Sequence, residues 1–354
     1  MWPQTSLAKR LKLRYPLIQA PMAGATTPEL VANVANAGGL GSYAAGYQNP
    51  ETIRNALRKI RELTDKPFAV NLFISQACQA SSTQISAMTH ILGKLSPRQF
   101  KPADPNAWPD FAEQLQVILE EKIPFFSFTF GIPDEVSLTK LKQSKTVLFG
   151  TATTLAEALL LESQGIDIIV AQGYEAGGHR GSFLAPAEHS MLGTLALIPQ
   201  IVDKVKLPVV AAGGIMDARG IVAALVLGAS AVQMGTAFLS CPETSIHPLY
   251  REKLLTCSTD NTRLTRAFSG KLARGINTKF IEEMAEYESQ ILDYPLQNNL
   301  TRPLRELASQ QGISDYMALW AGQAASLSKG ISAATLIQTL AKDVRQLLHK
   351  LCKT

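Results

Sequence analysis

The chain has 354 residues, with 34 lysines and arginines against 29 aspartates and glutamates, a formal net charge of +5, and 46% hydrophobic residues. That is too apolar for a disordered chain, and the basic residues are scattered, which argues against nucleic-acid binding. No stretch reaches the roughly 18 uninterrupted apolar residues of a membrane span, and the N-terminal segment lacks the apolar core of a signal peptide, so a cytoplasmic, non-membrane protein is expected.

Short apolar runs alternate with helical periodicity. A strand is expected at 16–22, then a helix at 28–37 that Thr27 can cap ahead of Pro28. A strand at 39–43, a helix at 51–63 and a strand at 68–73 follow. After an interruption come a helix at 111–122, a strand at 125–130, a helix at 134–141, a strand at 146–149, a helix at 155–164 and a strand at 166–171. The repeat resumes with a helix at 192–204, a strand at 209–212, a helix at 217–227 and a strand at 231–234. Gly165 and Gly228 stand where helix C-termini favour a left-handed residue. A last helix is expected at 333–351.

Eight strand–helix units predict an α/β fold, a closed (β/α)8 TIM barrel, with an open doubly wound sheet as competitor. A G-x-G-x-x-A run at 39–44 falls inside a strand, the wrong place for a dinucleotide turn. The barrel is assigned to 1–75, 110–258 and 313–354, and the irregular segments 76–109 and 259–312 to a small capping domain.

Glycines and polar residues gather where strands end, which is where this fold builds its sites. The sixth strand opens into a glycine-rich loop, Gln172 through Gly181, that carries His179, an imidazole able to act as a proton acceptor. Gly213-Gly214 and Gly235-Thr236, after the last two strands, offer free backbone N–H groups and predict an anion pocket suited to a phosphate. No Walker-type run accompanies them, so a nucleoside triphosphate is not expected.

In order, PLIQAPMAG, AGGLGSYAAG, FAVNLF, FSFTFG, AQGYEAGGHRG, VVAAGGI and AVQMGTAF, with a late WAGQ at 320–323, resemble class I nitronate monooxygenases, formerly called 2-nitropropane dioxygenases. The resemblance implies FMN and no metal. Gly213, Gly214, Gln233, Met234, Gly235 and Thr236 would surround the phosphate. Ala20, Pro21, Met22, Asn71, Gln172, Gly177 and Gly178 would contact the rest, with Gln323 nearby. It also implies that His179 is the catalytic histidine, and that a small nitronate and O2 react to give a carbonyl compound and nitrite, a detoxification. Some relatives carry a second histidine where Thr129 stands, so that position has no assigned role here.

Two other functions compete. An FMN-dependent enoyl-acyl-carrier-protein reductase or NADH:quinone reductase shares the loop and phosphate motifs, but the former more often has Glu at the place of Gln172 and Arg at that of Ala237. A non-catalytic FMN-binding protein would not need His179. A homodimer is one assembly the sequence leaves open.

Among other residues, Arg180 reads as solvated, Glu175 as ordering its own loop, and Cys241 as a packed thiol. His90, His189, His247 and His349 show no metal-ligand spacing. Tyr287, Tyr294 and Tyr316 are weak pocket candidates, and Trp320 a better one.

Overall fold

The computed structural model describes residues 5–74, 78–96, 104 and 107–353. Its strands in chain order are β1 (Leu17–Gln19), β2 (Ser42–Ala44), β3 (Ala69–Phe73), β4 (Phe125–Thr129), β5 (Val147–Ala152) and β6 (Ile168–Gln172). These are followed by β7 (Gly178–His179), β8 (Val209–Ala212), β9 (Ala231–Met234), β10 (Thr262–Thr265) and β11 (Ala273–Ile276). Eight of them form one parallel sheet in the order β1-β9-β8-β6-β5-β4-β3-β2. A parallel bridge from Ile18 to Leu40 joins β1 to the chain entering β2 and closes the ring. The fold is a (β/α)8 barrel, and the closure sets aside the open sheet.

Side-chain alternation places two different layers on each strand. In β3, Val70 and Leu72 pack outward into the layer shared with the helices, while Ala69 and Asn71 take the alternate, inward positions. Ile18, Ala69, Phe125, Phe149, Ile168 and Val210 form an inner cluster, joined by Leu7 and Leu11 from the N-terminal segment. The helices start as their caps dictate: Thr27 accepts the Leu30 N–H at 3.0 Å, and Asn49, Asp134, Thr154 and Ser332 cap theirs likewise.

The second strand begins later than expected, at Ser42, because Gly41 lies against the helix Pro28–Asn36. A Cβ there would collide with the Val31 carbonyl oxygen. The glycine run at 39–44 therefore serves close helix–strand approach.

A second core covers one end of the barrel. Phe268, Ile276, Phe280, Leu296, Leu300 and Leu304 pack with Met88, Ile91 and Leu92 of the helix Ser82–Leu95. Its small antiparallel sheet runs β10-β11-β7, so it includes the His179 loop: Ala273 pairs with His179 and Arg274 with Gly178. Of the segment 76–109 set apart from the barrel, residues 76–77, 97–103 and 105–106 lie outside the described residues.

Candidate active site

Parallel register brings the polar strand ends level with one another. Asn71 pairs with Ser127 across β3–β4, and Gln172, Ala212 and Gln233 follow one another across β6, β8 and β9. Burying such groups is costly without partners. Asn71 donates to Ser127 Oγ at 2.9 Å, and the Gln172 amide donates to the His179 carbonyl at 3.1 Å while accepting the Gly181 N–H at 2.8 Å. Gln172 thus ties the two ends of its own loop.

These residues border a cavity of about 560 Å³, within the size range of small-molecule sites. Ala20, Pro21, Met22, Asn71, Gln172 and Gln233 line it from the strand ends, and Gly177, Gly178, His179, Gly213, Gly214, Gly235 and Thr236 line it from the loops. Two expected members face elsewhere. The Met234 side chain packs outward in the barrel–helix core, because it alternates with Gln233 along β9. The Gln323 amide donates to the Tyr174 hydroxyl at 3.2 Å instead of lining the cavity, although its neighbours Gly322 and Ala324 do line it.

The glycine loops are held by a few long-range bonds. Gly213 and Gly214 have φ of 117° and 67°, the region that favours glycine, and a Cβ on Gly213 would fall 2.8 Å from Thr194 Oγ1. Glu175 accepts the Thr194 N–H at 2.8 Å, and the Thr194 hydroxyl lies 2.9 Å from that carboxylate and 3.0 Å from the Gly213 carbonyl, two acceptors for its one hydrogen. The WAGQ segment closes this clamp: the Gln323 N–H reaches the Glu175 carbonyl at 2.9 Å, and the Gly322 N–H reaches Thr236 Oγ1 at 3.0 Å. Glu175 orders the loop, as expected.

His179 sits among aromatic rings. Its ring centroid is 5.7 Å from Phe130, 5.8 Å from Tyr294 and 5.3 Å from Trp320, and Nε2 lies 2.8 Å from Ser269 Oγ. Phe130 has φ of 77°, a conformation costly for a bulky side chain, and the Lys271 ammonium lies 4.9 Å from its ring centroid. Burial first, then the positive charges of Lys271 and Arg305, pushes the His179 imidazole down to about 3. The imidazole is neutral at physiological pH, with one ring nitrogen unprotonated.

Several side chains depart from expectation. Arg180 is buried, not solvated, because carbonyls converge on its guanidinium: Gln172 and Ser190, and Thr153 at 3.3 Å. Burial pushes it down to about 10, which leaves it charged at neutral pH. Cys241 is buried as expected, and burial pushes its thiol up to about 12, so it is no nucleophile. Of the three tyrosine candidates, Tyr294 packs on His179, while Tyr316 donates to Glu283 at 2.8 Å and Tyr287 packs in the cap core. His247 lines the cavity mouth, and its Nδ1 accepts the Leu249 N–H at 3.2 Å as a helix cap. Ser269, Lys271 and Arg305 were not singled out from sequence. The alternating TRLT and ARGI runs were the available sign of the hairpin that brings Ser269 and Lys271 in. Among the described residues no group of three or more His, Cys, Asp or Glu side chains is arranged to hold a metal ion.

The family model for nitronate monooxygenase matches residues 4–343. The chain belongs to the nitronate monooxygenase family. A probable nitronate monooxygenase of Staphylococcus aureus (strain Newman) is 44% identical over 354 residues, covering 99% of each chain. Among solved structures, the nitroalkane oxidase from Streptomyces ansochromogenes superposes with a TM-score of 0.90 at 36% identity, covering 97% of this chain and 99% of the other. FabK from Thermotoga maritima gives 0.80 at 30%, covering 99% of each. As a nitronate monooxygenase family member the protein is an oxidoreductase, and the loop that carries His179 lies within the matched span.

Proposed function

We propose that the protein uses FMN and O2 to oxidise alkyl nitronates, such as propionate 3-nitronate, to carbonyl compounds and nitrite, and that it accepts neutral nitroalkanes through His179. The observation that carries this reading is a neutral, half-buried imidazole bordering a cavity that glycine loops also line. The rim fits FMN: Gly213 and Gly214 hold positive φ and leave room for Thr194 and Glu175 to press in, a loop whose N–H groups would hold a phosphate. Gly235 and Thr236 would complete that cradle, with Gln233 and Asn71 toward the ribityl chain and Ala20, Pro21 and Met22 along the ring. When bound, the flavin supplies the electron acceptor and the partner for oxygen.

The chain's own residues bind, orient and move a proton. A nitronate arrives already deprotonated and needs no base. Lys271 and Arg305, whose charges reach His179, together with Arg302 on the cavity wall, favour an anion there. A neutral nitroalkane must first lose its α-proton. The C–H bond breaks, its electron pair becomes the C=N bond of the nitronate, and the proton goes to the imidazole of His179. Phe130, Tyr294 and Trp320 pack around that imidazole and fix its place at the cavity wall. No helix among the described residues is long and apolar enough to cross a membrane. Four free cysteines without a disulfide are in keeping with a reducing cytoplasm.

The test is anaerobic mixing of the purified yellow protein. Bleaching of the flavin by propionate 3-nitronate, with NADH inert, is the expected result. Rapid bleaching by NADH would instead assign a reductase, and flavin that neither reagent reduces would assign a binding protein without turnover.

A further inference from the structure

His179 Nε2 and Ser269 Oγ are 2.8 Å apart, and the hydrogen bonds of that hydroxyl decide which of them donates. Ser269 Oγ lies 3.1 Å from the Lys271 carbonyl oxygen, which can only accept, so the hydroxyl hydrogen is committed there. One Oγ lone pair takes the Lys271 N–H at 3.3 Å. With the hydrogen placed there, one lone pair is left for the imidazole, which then donates from Nε2.

The position of the hydroxyl is fixed by backbone. The Ser269 and Gly270 N–H groups both reach the Arg266 carbonyl, at 3.2 and 2.7 Å, and the Arg180 N–H reaches the Leu272 carbonyl at 2.8 Å beside the Ala273–His179 pair. Ser269 is buried. The other groups facing the ring are the aromatics Phe130, Tyr294 and Trp320, and the Lys271 ammonium donates to the Ser182 carbonyl at 3.1 Å.

We propose that Ser269 is a positioning residue that holds His179 as its Nε2–H tautomer, leaving Nδ1 as the nitrogen that takes up a substrate proton. This rests on the reading of His179 as the base for neutral nitroalkanes. Which nitrogen of a histidine is basic is commonly set by the hydrogen bond that the other one makes. When Nδ1 is protonated, Ser269 Oγ still accepts from Nε2, so the imidazolium keeps its partner.

The experiment is long-range proton–nitrogen NMR on the flavin-loaded protein labelled with 15N-histidine, with the His179 signals assigned by their loss in His179→Asn. The expected spectrum shows a neutral ring protonated on Nε2 from about pH 5 to 8. Ser269→Ala should move population to the Nδ1–H form and lower kcat/KM for nitroethane by about tenfold to a hundredfold, part of what a general base contributes. Turnover of the preformed nitronate should stay within about twofold, and Ser269→Thr, which keeps the hydroxyl, should restore the native tautomer. An Nδ1–H ring in the native protein, or a tautomer that Ser269→Ala leaves unchanged, overturns the proposal. If Ser269→Ala fails to fold, the native spectrum decides. Should the tautomer be as expected while His179→Asn leaves nitroethane turnover intact, the base reading fails and the tautomer assignment stands.

Discussion

Along the barrel side of the cavity the available groups are backbone amides of glycine loops and short polar side chains at strand ends. The facing side, drawn largely from the hairpin and helices between residues 262 and 321, offers the Ser269 hydroxyl, the Lys271 ammonium, the Arg302 and Arg305 guanidiniums and the Trp320 ring. The first side depends on backbone shape, so it should fail when a Cβ is added. The second depends on side-chain chemistry, so it should fail by changes in charge and protonation while the cofactor stays in place. His179 is where they meet, since its loop leaves a barrel strand and pairs with the cap sheet.

The largest effect should come from the backbone side. Gly213→Ala forces a side chain to φ of 117° and toward Thr194 Oγ1, a strain of about 1–3 kcal/mol. That should weaken FMN binding by about tenfold to a hundredfold or more in a fluorescence titration, with the His179 tautomer unchanged in any flavin-loaded fraction. Undiminished FMN affinity would place the phosphate elsewhere.

Lys271→Met acts on the other side. Burial is the leading cause of the low His179 pKa, so removing the ammonium should raise that pKa without bringing it to 6.5. An NMR pH titration reads the shift, and kcat/KM for nitroethane should change by less than about tenfold, well below the full effect of a general base. An unmoved titration would remove Lys271 from the account.

Stability against acid follows from the same shift. The unfolded histidine takes up a proton near 6.5 whereas the folded one waits until about 3. Between those values the unfolded state binds the extra proton, so this group's contribution falls as pH drops through the window. His179→Asn should therefore show a shallower loss of denaturation midpoint between pH 6 and 4 than the native protein. An identical slope would mean that folding does not lower the affinity of this imidazole for a proton. The smallest effect is expected at Val226, an exposed residue outside the cavity. Val226→Ser should change stability by less than about 0.5 kcal/mol in urea unfolding.

This contrast also governs what could be read in the sequence. The barrel was legible because each unit repeats the same local signals: a short apolar strand, a capped helix, a glycine at the turn. His179 and the glycine pairs stood out because their roles depend on local backbone. The cap's contribution was hidden because its partners are distant in the chain: His179 meets Ser269 from 90 residues away. Arg180 was misread for a related reason, since its glycine neighbour suggested solvent while carbonyls as far as Thr153 gather around it. Met234 was placed with its motif, but strand alternation turns its side chain the other way.

The most direct test of the account is His179→Asn, loaded with FMN, assayed on nitroethane and on its preformed nitronate. Loss of about a hundredfold or more in kcat/KM on the neutral compound, with the nitronate retained within about tenfold, is the expected result. Equal losses on both substrates would contradict it, because a neutral imidazole acting as base has no proton to remove from a nitronate.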